Sequence, residues 1–212
     1  MERTISGMMG KGSVSHNTRA FSAKNVDAER SRYNIEFCHS DIKEVYHKLF
    51  DEALERYNVK QKRSDRKIDN YYEKIRQGKQ EKLFHEVIFQ IGNKDDMNAK
   101  SDEGQLAREI LIKFMEEFQK RNPNLYVFSA HLHMDEETPH IHIDFVPFIR
   151  NSQRGLDTRV TLKGALAEQG FKGGTRSATE WNQWIESEKQ ELSKVADRYG
   201  VRWKQLGTHN KH

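Results

Sequence analysis

The sequence contains one cysteine, Cys38, so no disulfide can close within the chain, and a reducing, cytoplasmic setting is expected. No apolar run approaches the ~18 residues of a membrane span, so the chain is expected to insert into no bilayer. The opening stretch MERTISGMMGKGS lacks the hydrophobic centre of a secretion signal. There is no internal repeat, no low-complexity tract and no regular alternation of strand and helix, which argues against a parallel doubly wound sheet. What is present is a chain of 212 residues, 35% hydrophobic and 32% charged, which suits one sizeable domain with a modest core and a heavily charged surface. Aromatic and β-branched residues are too numerous and too well patterned for disorder. The net charge of +4 permits contact with nucleic acid without requiring it.

The patterning predicts an α+β domain on a largely antiparallel sheet. Residues 4–9 alternate as a strand would, and Gly10, Gly12 and Ser13 break the pattern. Residues 32–37 (RYNIEF) and 84–92 (FHEVIFQIG) have strand composition. Asp41 is placed to cap a helix reaching about Tyr57, with Ile42, Val45, Leu49, Ala53 and Leu54 on one face. A short helix is predicted over 71–78. Ser101 or Asp102 caps a helix predicted to run from Glu103 to about Arg121, where Asn122-Pro123-Asn124 stops it. Residues 125–134 and 140–148 read as two strands of a hairpin. A helix over 161–169, the flexible basic loop KGGTR and a long amphipathic helix over 179–199 follow. The Phe114/Phe118 and Trp181/Trp184 stripes belong to the core. The chain runs out in the polar GTHNKH without a terminator, which predicts that the 212 residues form one domain at the N-terminal side of a longer protein.

The chemistry concentrates in SAHLHMDEETPHIHIDFVP, residues 129–147. Side chains alternate faces along a strand. His140, His142 and Asp144 therefore share one face, and Ile141, Ile143 and Phe145 the other. On the preceding strand His131 and His133 oppose Ala130 and Leu132. Across a hairpin, His133 comes to face His140 and His142 at about one strand spacing, ~5 Å. Three imidazoles in one small volume suit a divalent transition metal and leave coordination positions open. Asp135 and Glu136, in the connection, stand as orienting partners, a further ligand or a proton acceptor. A single H-x-H is more often structural; the third histidine and the intervening acids are what raise it. His131 lies one pleat deeper, where a hydrogen-bonded structural role fits better.

Other residues carry weaker signals. The basic run Lys60, Lys62, Arg63, Arg66 and Lys67 either ends a solvated helix or tracks a phosphate backbone, and Lys172 and Arg176 form a second such patch. Tyr71 and Tyr72 are alternative nucleophiles, although helix tyrosines usually pack. His16 near a terminus is unremarkable on its own.

The string His133-x-Asp135-Glu136-x-x-Pro139-His140-x-His142 resembles the metal-binding motif of the MobV/Pre relaxases, the plasmid mobilization or recombination enzymes. Phe145-Val146-Pro147-Phe148, the early Glu29-Arg30-Ser31…Asn34 segment and His16-Asn17-Thr18-Arg19, similar to that family's HNxR motif, extend the resemblance from residue 1 to about residue 200. It implies an HUH-endonuclease fold: an antiparallel sheet of about five strands with helices packed on one side. It implies a divalent metal on His133, His140 and His142, Mn²⁺ or Mg²⁺ in the reaction, with Zn, Co or Ni acceptable to the same ligands. It implies His16 as the nucleophile, Glu136 as base or orienting group and Arg19 as a phosphate contact. From the residues themselves, Asp144 either supports His142 or is only a polar strand residue, and Asn17 is placed among the DNA contacts. The expected substrate is an origin of transfer, bound as a hairpin with adjacent single strand, and accessory or coupling proteins of a relaxosome are expected partners. A tyrosine-dependent replication initiator or transposase, and a non-catalytic metal-stabilised DNA-binding module, are the alternatives.

Overall fold

A computed structural model describes residues 1–21 and 23–205; the polar run at 207–212 lies outside the described residues. In chain order the strands are β1 (Glu2–Arg3), β2 (Ile5–Met9), β3 (Ile35–His39), β4 (His85–Ile91), β5 (Leu125–His133), β6 (His140–Ile149), β7 (Arg159–Val160) and β8 (Arg202–Trp203). The helices are α1 (Val14–Asn17), α2 (Ile42–Val59), α3 (Tyr71–Gln77), α4 (Asp102–Glu116), α5 (Phe118–Arg121), α6 (Leu162–Glu168) and α7 (Glu180–Arg198). The predicted caps form. Asp41 accepts from the Lys43 amide at 2.7 Å, and Ser101 accepts from the Gly104 amide at 3.1 Å, each satisfying an otherwise orphan donor of the first turn.

The central sheet has the order β2-β4-β6-β5-β3, antiparallel throughout, with β7 added at the end of β6. A separate parallel pair, β1 with β8, ties the first residues to the end of α7. One sheet face carries Val87, Phe89, Ile141, Ile143, Phe145, Ala130 and Leu132 and packs on α4, α5 and α7 through Phe114, Phe118 and Trp184. The other face is divided. Val146 and Phe148 meet Val45, Tyr46 and Phe50 of α2 and Tyr71 of α3 in a second apolar cluster. Helices thus cover both faces, whereas the family resemblance implied one. The upper half of this second face is left to the histidines.

Two local expectations need correction, and one irregularity in β5 sets the site. The helix predicted through Arg121 breaks at Glu117, and α5 restarts on a new axis with Phe118 packed beside Phe114 and Trp184. The strand predicted over 32–37 starts later: Ala28–Tyr33 is a 3-10 turn, and pairing with β5 begins at Ile35. The reason is that side chains of this turn are engaged elsewhere, as described below. Finally, β5 contains a bulge. Val127 pairs with Phe145, but Ser129 pairs with Asp144, its direct neighbour on β6. The extra residue shifts the alternation by one, so that Leu125 and Val127 below it and Ala130 and Leu132 above it all face the same core. Without the bulge His131 and His133 would point into that core.

Candidate active site

The β5–β6 register sets His133 opposite His140 and His131 opposite His142. The rings of His133, His140 and His142 meet pairwise, with centroids 5.3, 4.8 and 4.9 Å apart. All three are buried. Each has one nitrogen anchored. The His133 Nε2–H donates to the Asn17 carbonyl at 2.8 Å, the His140 Nδ1–H to the Thr138 carbonyl at 2.8 Å, and the His142 Nδ1–H to Glu86 Oε1 at 2.6 Å. A carbonyl or carboxylate oxygen only accepts, so each anchored nitrogen carries the hydrogen and each opposite nitrogen keeps its lone pair. Of these, His133 Nδ1 and His142 Nε2 are buried with no hydrogen-bond partner. Burial, reinforced by the neighbouring imidazole of His142, holds His133 and His140 well below the ordinary histidine range, so both rings are neutral. Neutral imidazoles with tautomers fixed by an outer oxygen, and lone pairs left without donors, are what a divalent ion requires.

Glu136 stands among these nitrogens. Its Oε1 lies 3.8 Å from His133 Nδ1, 3.8 Å from His140 Nε2 and 3.6 Å from His16 Nε2. His133, Glu136 and His140 offer ligand atoms within 4.8 Å of one another, and so do His16, His133 and His142. The expected histidine trio therefore resolves into two overlapping triads that share His133. The donor set of imidazoles with one carboxylate fits Mn, Fe, Co, Ni or Zn.

His16 sits on α1, its side chain 24% exposed, with its ring centroid 5.9 Å from both His133 and His142. The helix α1 ends at Asn17, and Arg19 takes a left-handed conformation, φ 59°. The His16 and Arg19 side chains meet, with Arg19 Nη1 3.2 Å from His16 Nε2. A guanidinium can only donate, so this Nε2 bears the lone pair. Burial and the Arg19 charge lower the His16 pKa, which keeps the ring neutral.

The left-handed turn is held by charge. Arg19 makes a two-pronged pair with Asp135 and a further bond to Glu136 at 2.8 Å. Expected as a phosphate contact, Arg19 is thus engaged by protein carboxylates. Asp135 also accepts from Ser31 Oγ at 2.7 Å and Asn34 Nδ2 at 2.6 Å, and its pKa is held below the usual carboxylate range, mainly by Arg19, against the opposing effect of burial. Arg30 donates to the Met134 and Ala99 carbonyls. The segment Arg30, Ser31, Asn34 is accordingly a clamp on the hairpin connection, and this use of its side chains keeps it in turns.

Asn17, expected on DNA, is 2% exposed and donates its amide to Glu86 Oε1 at 2.7 Å and Asp144 Oδ2 at 3.0 Å. Asp144 was expected to support His142; the carboxylate that does so is Glu86, which sequence reading missed. Glu86 is locked in turn by the Gly12 amide at 2.7 Å, with Gly12 at φ 75°. A Cβ at Gly10 would overlap its carboxylate, so only glycine lets the backbone approach there. The signal was a glutamate near the start of a Val/Ile/Phe strand, in phase with the polar face. His131 bonds Ser129 Oγ at 3.1 Å and joins neither ligand triad, as its deeper pleat implied.

The remaining candidates lie apart. Tyr71 is buried in the second cluster, where its hydroxyl accepts from the Val160 amide at 3.2 Å, and Tyr72 packs on Tyr46. Neither contacts the histidines among the described residues. Lys60, Lys62, Arg63, Arg66 and Lys67 follow the C-terminal end of α2, with Arg63 paired to Asp65. Lys172 and Arg176 lie exposed in the connection from α6 to α7. Among the described residues no helix is long and apolar enough to cross a membrane.

Comparison with known proteins follows the same line. Four solved chains match. One is the MobM relaxase domain (MOBV; Mob_Pre) bound to a 22-nucleotide oriT DNA of plasmid pMV158, Mn-bound, with a TM-score of 0.55 and 22% identity over 99% of this chain and 94% of that one. The same domain with a 23-nucleotide oriT DNA gives 0.51 and 21% identity over 100% and 93%. At these identities the likeness is one of fold. Comparison with curated protein sequences gives no match. The sequence profile of the plasmid recombination enzymes, Mob_Pre, matches residues 37–170, well over half of the chain, from β3 through the histidine hairpin to α6. The chain belongs to the Mob_Pre family of plasmid recombination enzymes.

Proposed function

We propose that the chain is the nicking domain of a metal-dependent DNA relaxase, which cuts one strand at an origin of transfer, stays attached to the 5′ end through His16 and later reseals the strand, to mobilise a plasmid or transposon. The single observation that carries this is the convergence of nitrogens from buried His133, His140 and His142 with a fourth imidazole, His16, at their open side. MobM, of the same fold, is Mn-bound on oriT DNA, which supports a DNA substrate and a divalent ion here.

His133 Nδ1, His140 Nε2 and His142 Nε2 would hold the ion, with Glu136 Oε1 as the further ligand. When bound, the ion supplies positive charge to the non-bridging oxygens of the scissile phosphate and fixes their direction. His16 Nε2 attacks phosphorus; the P–N bond forms as the P–O3′ bond breaks, and the 3′ oxygen leaves with that electron pair. The Nδ1 proton of His16 is given up in the same step and one proton is taken up by the 3′ oxygen, so the balance closes. Glu136, 3.6 Å from His16 Nε2, steadies the positive charge on the ring during transfer. Arg19 Nη1, 3.2 Å from His16 Nε2, orients the ring and holds its lone pair until the scissile phosphate displaces it, while its other nitrogen fixes Glu136. Resealing is the reverse: a 3′-OH attacks the phosphohistidine.

Supercoiled DNA of the encoding element, incubated with protein and Mn²⁺ and run under denaturing conditions, tests the proposal. The wild type and the Tyr71→Phe and Tyr72→Phe variants should give nicked circles with protein on the 5′ end, and His16→Phe should give none. An adduct that survives His16→Phe would falsify the nucleophile.

The second ligand triad favours one other reading, in which His16 is a ligand. Titration of Mn²⁺ into His16→Ala separates the two: unchanged affinity leaves His16 as nucleophile, and a loss of tenfold or more, on the scale of about 1.4 kcal/mol, makes it a ligand.

A further inference from the structure

A second concave site lies away from the histidines, between α3, the segment that follows it and the residues around β7. Its volume is about 710 Å³, within the roughly 300–1,000 Å³ typical of ligand pockets. Its walls carry four cations, Lys74, Lys79, Arg154 and Arg159, and two aromatic rings, Tyr57 and Tyr71. Glu81 is the only acid among the lining residues. Among the described residues none of the four cations has a carboxylate within 4.0 Å; Arg159 bonds only the Ser152 hydroxyl, at 3.0 Å. In the neighbouring basic run Arg63 is paired to Asp65, and the cavity lined by Arg66 and Lys67 also carries Asp65, Asp69 and Glu73, so what sets the four cations apart is a concavity with one acid rather than three. Unpaired cations converging on a concavity create a potential that only an anionic ligand satisfies.

The site also connects with the chemistry. A smaller cavity of about 390 Å³ shares Ile75, Gly78 and Glu81 with it and extends to Gly10, Lys11, Gly12 and Glu86. Gly12 and Glu86 form the support of His142, and α1 with His16 begins two residues after Gly12. The smaller cavity therefore runs from the cationic cleft toward the loop that precedes α1.

We infer that this cleft binds a nucleotide of the single DNA strand that leads to or from the scissile phosphate, with Lys74, Lys79 and Arg154 on its phosphates and a base stacked against Tyr57. The inference rests on the relaxase reading for its substrate class. It moves the main strand contacts from the run 60–67 and from Lys172 and Arg176, where the sequence had suggested them, to residues that the sequence scatters over three segments.

The test is anisotropy of a labelled single-stranded oligonucleotide of mixed sequence and of its duplex, over a series of KCl concentrations, in EDTA so that no cutting occurs. The Lys74→Gln/Lys79→Gln/Arg154→Gln variant changes only exposed side chains. It should lower the salt slope for single strands by about 2, since each lost phosphate contact removes about 0.7. Tyr57→Ala should weaken single-strand binding at least about fivefold and Tyr57→Phe should restore it, because stacking needs the ring alone. An unchanged slope in the triple variant, or a slope lowered only by Lys172→Gln/Arg176→Gln, overturns the inference. So does an equal loss for duplex and single strand, which marks a general phosphate surface. The outcome is separable from that of the nicking proposal: His16→Phe should bind the single strand as the wild type does, and a protein that shows the cleft effects but never nicks keeps this inference and loses that one.

Discussion

One face of β6 carries two surfaces of opposite kind. Toward its start, His140, His142 and Asp144 look into a polar, hydrogen-bonded interior beneath the short α1. Toward its end, Val146 and Phe148 are sealed by α2 and α3. Backbone and strand are shared, yet the first half collects buried polar atoms without partners, His133 Nδ1, His142 Nε2, Asn17 Oδ1 and Asp144 Oδ1, while the second half is apolar packing. A buried polar atom without a partner costs stability. The difference teaches that the apolar half, with the core on the other face, supplies the stability that the polar half spends on keeping ligands ready.

The comparison predicts a separation of effects. The largest is on activity: His142→Ala should reduce nicking on the order of 10³-fold or more while the thermal midpoint of the metal-free protein falls only modestly, because removal of an orphan nitrogen partly offsets the lost bond to Glu86 and the cavity left behind. A large fall in that midpoint would show that the histidine half holds the fold together. Phe50→Ala, in the apolar half, should cost about 3–5 kcal/mol in a denaturant titration, with Mn²⁺ affinity of the folded fraction unchanged. Coupled loss of both would erase the distinction. Glu86→Gln keeps the shape at the boundary but replaces the anion behind His142; Mn²⁺ affinity by calorimetry should fall about 10–100-fold, whereas Glu81→Gln should leave it alone.

The smallest effect concerns Asp144. It is fully buried, and burial raises its carboxyl to about 7, with the Glu86 charge adding to the rise. The folded state then holds the proton more tightly than the unfolded chain, whose aspartate titrates near about 4. Stability from this group therefore falls as pH rises from about 4 to about 7 and is level above. In EDTA, the denaturation midpoint of Asp144→Asn should lose less between those limits than that of the wild type. Parallel pH profiles would mean that Asp144 stays ionised in the fold.

Much of this was legible beforehand because it is local. Period-two alternation placed His140, His142 and Asp144 on one face, capping chemistry at Asp41 and Ser101 marked two helix starts, and the six-residue connection demanded a hairpin. The rest depends on contacts that no local pattern records. Glu86 lies 56 positions before His142 and reads as an ordinary strand residue until β4 pairs with β6. Asn17 looks like a free polar residue of a flexible terminus, and only the approach of α1 to the sheet buries it between two carboxylates. The bulge at Phe128 and Ser129 is invisible because alternation on either side of it is regular.

By itself, then, the sequence determined which side chains meet in the candidate site: the histidines, their spacing and the acids between them, since strand geometry repeats every two residues whatever surrounds it. Tertiary structure alone decided which nitrogen of each ring is free, which carboxylate stands behind it, and where unpaired cations gather into a cleft. Those depend on hydrogen bonds and charges brought together from distant segments, and such bonds have no period along the chain.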